Sequence, residues 1–166
     1  MTRSVHLLDI ERDNSLRPDV ERLARLSAES QSLKHPITAW EKIRESSDQV
    51  YLLKENDFVT GYVRLGQRTL YLSPDPVSVE LQPFSVYCVL DFFIQDQRRG
   101  NGIFLMQKIL TSSPNLSPEK LAFDRPSAKL VPFLRKHFGL LDLVEQPNKF
   151  VISRQFFSLY KFFIHQ

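Results

Sequence analysis

The stretch Asp91–Leu110, DFFIQDQRRGNGIFLMQKIL, sets two arginines and two glycines between two apolar runs. A strand that ends in a short polar turn and opens a helix presents backbone N–H groups with no intrahelical partner. The helix dipole favours a negative group there by about 0.3–1 kcal/mol, and by up to ~2 kcal/mol when the site is partly buried. Gly100 and Gly102 let the backbone turn and keep Cβ atoms away from an approaching phosphate. Arg98 and Arg99 can add charge-assisted hydrogen bonds. The same residues also suit a plain strand-to-helix turn with solvated arginines. Two further residues could handle protons. Asp124 follows the apolar Leu121–Phe123 at a strand end, where a carboxylate can accept an ammonium, but it equally suits an N-cap for a helix at Arg125-Pro126-Ser127. Cys88 sits among apolar neighbours. It reads as a small buried hydrophobe, as a base for a transient proton, or as an acyl-carrying nucleophile.

The rest of the sequence narrows the field. At 166 residues the chain fits a single domain, 1–166, and 42% apolar residues are enough for a core. Twenty-two basic against 19 acidic residues leave +3, too little for the basic stripe of a nucleic-acid binder. One cysteine excludes an internal disulfide, and four scattered histidines do not make a metal site. Arg3, Asp9, Glu11, Arg12 and Asp13 break up the N-terminal stretch, so no secretory leader is expected there. No apolar run approaches the roughly 18 residues of a membrane span. The glycine turn lacks the Lys and Ser/Thr of a Walker loop and the third Gly of a dinucleotide fingerprint. A soluble, cytoplasmic, metal-free monomer is expected, without nucleic-acid or membrane partners.

Several elements must position these residues. Ser4–Ile10 reads as a strand and about Pro18–Leu33 as a helix, with Val20, Leu23 and Ser27 on one stripe. His35–Ser47 breaks at Pro36 and restarts as a short helix with Thr38 as its N-cap and Trp40 in the core. Two strands flank Asp57 as a hairpin, Thr69–Ser73 continues a three-strand meander, and Pro74–Pro83 is a loop by its prolines. Phe84–Gln95 alternates Phe84, Val86, Cys88, Leu90, Phe92 and Ile94 on one face with Tyr87, Val89, Phe93 and the lone charge Asp91 on the other. Both faces are mostly apolar, which predicts a central strand covered on both sides. A helix follows the glycines, then a strand before Asp124, a helix over Ser127–Phe138 stopped by Gly139, and a strand in Lys149–Ser153. Arg154–Gln166 fits strand or helix. The fold class predicted is α/β (α+β): a mixed, mostly antiparallel central sheet with helices on both faces.

Gln97-Arg98-Arg99-Gly100-Asn101-Gly102 resembles the Q/R-x-x-G-x-G/A signature of the GCN5-related N-acetyltransferase superfamily, in which this turn holds the pyrophosphate of acetyl-CoA. Three further stretches narrow the likeness: Glu29–Thr38 (ESQSLKHPIT), Cys88–Ile94 (CVLDFFI) and Leu121–Leu140 (LAFDRPSAKLVPFLRKHFGL). Together with Asn148–Ile152 and Phe156-Phe157 they resemble the α-tubulin N-acetyltransferase family over about residues 23–157. The resemblance implies an acetyl-CoA-dependent transferase acting by direct attack in a ternary complex. Its acceptor would be a lysine on a loop of α-tubulin that faces the microtubule lumen, which implies a cytoskeletal location. It implies Gln31 as a residue needed for activity, and Cys88 and Asp124 as acid/base residues. Acetyl-CoA would be held by Phe92, Phe93, Ile94, Gln97, Arg98, Arg99, Gly100, Asn101, Gly102 and Ile103, and by the next helix through Ser127, Lys129 and Lys136.

The sequence departs from the family at two points on the phosphate turn. Only Gln95 and Asp96 separate the strand's Ile94 from the Gln97-Arg98 pair, two residues fewer than usual, and Ile103 stands where Arg is common. These departures keep two other readings open: a transferase with a different protein or small-amine acceptor, and a non-catalytic microtubule-binding module of the same fold. Without the resemblance, Gln31 is a helix-surface glutamine.

Overall fold

The computed structural model describes residues 2–74 and 80–164. Most of the expected proline loop, residues 75–79, lies outside the described residues. Seven strands form one sheet: β1 (Arg3–Leu7), β2 (Gln49–Glu55), β3 (Phe58–Leu72), β4 (Gln82–Ile94), β5 (Ala122–Asp124), β6 (Leu143–Glu145) and β7 (Phe150–Ser153). Their order is β1-β2-β3-β4-β5-β7-β6, so β4 is the central strand, as its two apolar faces predict. β1 with β2, β2 with β3, β5 with β7 and β6 with β7 pair antiparallel, whereas β4 and β5 run parallel. The helices are α1 (Arg17–Ser30), α2 (Trp40–Arg44), α3 (Asn101–Ser112), α4 (Leu130–Phe138) and α5 (Gln155–Ile164). Two compact units divide the chain: Met1–Gly66 with Leu90–Ser112, and Gln67–Val89 with Ser113–Gln166.

In the first unit, α1 and α2 cover one face of the sheet. Val20 and Leu23 of α1 and Trp40 and Ile43 of α2 pack with Val50, Leu52, Val59 and Tyr62, all at most 5% exposed. Burying side chains of this size is worth roughly 1.5–3 kcal/mol each. Pro18 lies in the first turn of α1, where its missing N–H costs nothing. The helix ends three residues earlier than its periodicity predicts, and the reason is backbone geometry. Ser32 takes a left-handed φ of 55°, and its N–H bonds the Glu29 carbonyl while the Leu33 N–H bonds that of Ala28. This is a Schellman stop, built on serine instead of the usual glycine.

At the start of α2, Ala39 is the N-cap residue and no side chain caps the helix. Thr38 therefore does not fill the role its position suggests. Its hydroxyl is donated to Asp91, while Glu21 of α1 accepts the Trp40 N–H at 3.0 Å. Asn56 and Asp57, with φ of 50° and 70°, form the turn of the β2–β3 hairpin. β3 then continues unbroken to Leu72, so Thr69–Ser73 is no separate strand of a meander. On the other side of β2 from Leu52, Glu55 accepts a hydrogen bond from Asn101, the first residue of α3.

In the second unit, β5 pairs with β4 and β7, and Gly139 ends α4 with a left-handed φ of 66°, as expected. The structure adds β6, a three-residue strand absent from the sequence reading. It also resolves the C-terminal stretch as α5, which buries Phe156 and Phe157 against Phe84.

Gly61 fixes how closely β3 approaches the end of β4. A Cβ on it would lie 2.6 Å from Ile94 Cδ1 and 2.9 Å from the Phe93 carbonyl oxygen. The side chain could yield, but the carbonyl is backbone. Gly61→Ala is expected to cost about 1–3 kcal/mol, at roughly 2–4 °C of Tm per kcal/mol. Thermal denaturation measures this, and an unchanged Tm would contradict the close approach.

Candidate active site

The anion-ready turn belongs to the first unit. The Phe104 N–H bonds the Gly100 carbonyl at 3.0 Å, so the N–H groups of Asn101, Gly102 and Ile103 precede the first bond of the α3 ladder. Gly100 has φ of 74°, and a Cβ there would meet nothing nearer than Arg3 Nη1 at 4.0 Å. Arg98 is also left-handed, at 68°, and residues 95–100 are all exposed. The approach to the turn is pinned from behind. The Gln95 N–H bonds the Thr60 carbonyl at 2.8 Å, and Arg22 of α1 donates to both Gln95 Oε1 and the Val59 carbonyl.

Asn101 is buried and its amide is committed inward, donating to Glu55 Oε1 and accepting from Arg3 Nη1, each at 3.2 Å. Only its backbone N–H remains for an anion. Arg3 also stacks over Phe104 at 4.6 Å. Of the other predicted cofactor residues in this unit, Phe93 packs with the α1–α2 core and its ring lies 6.3 Å from that of Tyr62. Ile94 is buried beside Gly61, and Phe92 and Ile103 are half-buried.

Gln31 sits at the C-cap of α1, exposed, with its side-chain Nε2 donating to Ser27 Oγ at 2.9 Å. Behind it lies a buried polar network that the sequence reading did not assemble. Asp91, 6% exposed, accepts three hydroxyl hydrogen bonds: from Ser27 at 3.3 Å on Oδ1, and from Thr38 at 2.6 Å and Tyr62 at 2.5 Å on Oδ2. Burial, and then the Asp91 charge, push the Tyr62 hydroxyl far above its ordinary range, so it stays a donor at every physiological pH. The signal was present in the sequence: Asp91 is the lone charge on a strand apolar on both faces. Its partners, 29–64 residues away, were not visible in any local pattern.

Cys88 and Asp124 belong to the second unit. In the parallel register Cys88 is paired with Ala122. Asp124 is two residues beyond Ala122, so it lies on the same face of the sheet as Cys88, on the neighbouring strand. Cys88 is fully buried, with its thiol 3.5 Å from the Val86 carbonyl. Asp124 is half-buried and ends β5. It does not cap α4, which begins at Leu130 with Lys129 at the N-cap position. Ser127 instead accepts the Leu130 N–H on its hydroxyl. Lys136 is exposed in the last turn of α4, beside His137, where cations suit the helix dipole.

β4 pairs with β5 at Cys88–Ala122 and Val89–Phe123, and β4 runs on to Ile94. Among the described residues, three of the six non-glycine left-handed residues fall at or next to predicted site residues: Ser32 follows Gln31, Arg98 lies in the turn, and Arg125 follows Asp124 with φ of 40°. Such conformations cost of order 1–3 kcal/mol and cluster at functional sites.

Comparison with known proteins bears on these features together. The family model described as GNAT acetyltransferase, Mec-17, matches residues 3–163. An Alpha-tubulin N-acetyltransferase of Anopheles gambiae is 38% identical over 84% of this chain and 29% of its own length. Those of Tetrahymena thermophila and Phytophthora infestans are 37% and 40% identical over 79% of this chain, covering 33% and 76% of their own lengths. The chain thus spans about a third of the first two relatives. Among solved structures, a mutant AtaT toxin bound to the C-terminus of the antitoxin AtaR and acetyl-CoA superposes with a TM-score of 0.58 at 16% identity, covering 95% of this chain and 98% of that one. An aminoglycoside acetyltransferase from an uncultured soil metagenomic sample gives 0.55 at 14% identity, covering 81% and 86%. These likenesses establish the fold. With a family model spanning nearly the whole chain and relatives above 35% identity, the chain belongs to the α-tubulin N-acetyltransferase family of GNAT proteins.

Proposed function

We propose that this protein transfers the acetyl group of acetyl-CoA to the side-chain amine of a lysine on the lumen-facing loop of α-tubulin, by direct attack in a ternary complex. The observation that carries the reading is the open start of α3, where three leading N–H groups, a left-handed Gly100 and two exposed arginines form a turn suited to a diphosphate. When bound, acetyl-CoA supplies an activated acetyl thioester. Arg98, Arg99 and the backbone of Gly100–Ile103 would hold its pyrophosphate, and Ser127, Lys129 and Lys136 would contact the rest. The relatives' names support α-tubulin as the acceptor, and that acceptor would place the protein at the cytoskeleton. Among the described residues no helix is long and apolar enough to cross a membrane.

The chemical task of this chain's residues is proton removal. A solvated lysine has a pKa near 10.4, so at neutral pH only about one in 10³ is an amine, a cost of roughly 4–5 kcal/mol. Asp124 accepts the ammonium and draws its proton, and Cys88 on the same face serves as the second proton-handling group. β4 backbone N–H groups in the Cys88–Asp91 segment are donors for charge that develops on a carbonyl oxygen. Gln31 orients the incoming substrate loop.

Two measurements test this reading. Acetyl-CoA and microtubules incubated with the protein should yield acetyl-lysine on α-tubulin, and Asp124→Asn should lose about 10²–10⁴-fold of that rate, the span of general-base contributions. An intact, folded protein that leaves α-tubulin unmodified refutes the assignment. In calorimetry, Arg98→Ala with Arg99→Ala should weaken acetyl-CoA binding by roughly tenfold or more, the worth of one charge-assisted bond. Equal affinity for the variant and the parent chain would remove the arginines from the site.

A further inference from the structure

Asp91 lies on the opposite face of β4 from Cys88, three residues along, and has no part in the proton chemistry proposed above. Its bonding nevertheless has a consequence at the exposed Gln31. An ionised carboxylate accepts hydrogen bonds and donates none. The Ser27 hydroxyl has one proton, and at 3.3 Å from Asp91 Oδ1 that proton serves Oδ1, while Thr38 and Tyr62 serve Oδ2. The Ser27 oxygen can then only accept from Gln31. The amide of Gln31 is therefore held with its NH2 inward, 2.9 Å from Ser27 Oγ and 3.4 Å from the Ser27 carbonyl oxygen, also an acceptor. Its carbonyl oxygen is left as the outward group.

The geometry points to Asp91 as a positioning residue. Acting through Ser27, it fixes the polarity of the Gln31 amide, so that Gln31 meets the acceptor substrate as a hydrogen-bond acceptor for an N–H group. The donor would be the lysine ammonium or a backbone amide of the substrate loop. This assignment rests on the acetyl-transfer reading for the identity of the substrate, but the amide polarity itself does not.

The network suggests its own reversal. Among the described residues, Asp91 Oδ2 takes both Thr38 and Tyr62, and Oδ1 takes Ser27. In Asp91→Asn the single carbonyl oxygen can serve Thr38 and Tyr62 while the new NH2 faces Ser27. Ser27 then accepts from residue 91 and donates outward. Gln31→Glu, which presents only acceptor oxygens, conflicts with Ser27 in the parent chain but matches the reversed network.

The experiment has two arms on the full chain. Side-chain amide NMR of the unliganded protein should show the Gln31 NH2 protons slowed in solvent exchange, and Ser27→Ala should abolish that protection with an unchanged fold. An unprotected Gln31 amide in the parent chain overturns the polarity assignment whatever the substrate proves to be. In the kinetic arm, Ser27→Ala should raise KM for α-tubulin about tenfold, the worth of one hydrogen bond, with KM for acetyl-CoA unchanged. Gln31→Glu should lose most activity, and adding Asp91→Asn should restore it by about tenfold. If the double variant is as poor as the product of its singles, Asp91 is only structural and the proposal falls. If the parent chain acetylates no tubulin, the substrate reading fails and the acceptor role for Gln31 falls with it, while the NMR arm still decides the amide polarity.

Discussion

A carboxylate enclosed in the middle of a sheet must be satisfied, because an isolated buried charge costs several kcal/mol. Asp91 is satisfied by three hydroxyls from three different elements: α1, the segment before α2, and β3. None carries a compensating charge, so the network depends on every donor being in place. Much of the first unit follows from this. Thr38 gives up helix capping, Glu21 takes over at the start of α2, and α1 is held to the central strand at its last turn, where Gln31 emerges. An apolar residue in place of Asp91 would save the desolvation cost but leave three hydroxyls without a partner.

The anion-ready turn is held by a similar logic. Its outer surface is exposed backbone, but its supports come from distant parts of the chain. Arg22 of α1 fixes Gln95, Gly61 admits the end of β4, and Arg3 with Glu55 holds the first residue of α3. The loop from Ile94 to Gly100 is short. Its start is nonetheless tied down at both backbone and side chain, so little slack is needed to reach the glycines.

The sequence was informative where chemistry is local. The alternation of Phe84–Ile94 located the central strand, the glycines located the turn, Gly139 ended α4, and Trp40 fell in the core as its helical spacing predicts. It was silent where the decisive partner is remote. Thr38 reads as an N-cap from its neighbours because Asp91, 53 residues on, is invisible locally. Asp124 reads as a cap before proline, yet a left-handed Arg125 delays α4 to Leu130. Ser32 ends α1 in a conformation that its residue type does not announce. β6 escaped because three residues carry too little periodicity, and α5 because its aromatic residues satisfy either period.

The chain has a single tryptophan, and Trp40 is fully enclosed where α2 meets α1, two residues from Thr38. An indole shielded from water emits at shorter wavelength than a hydrated one, and no second indole dilutes the signal. The intrinsic fluorescence of this protein is therefore a local gauge of one corner, the one that carries Gln31. Loosening there would register as a red shift before the rest of the molecule melts, with no label attached.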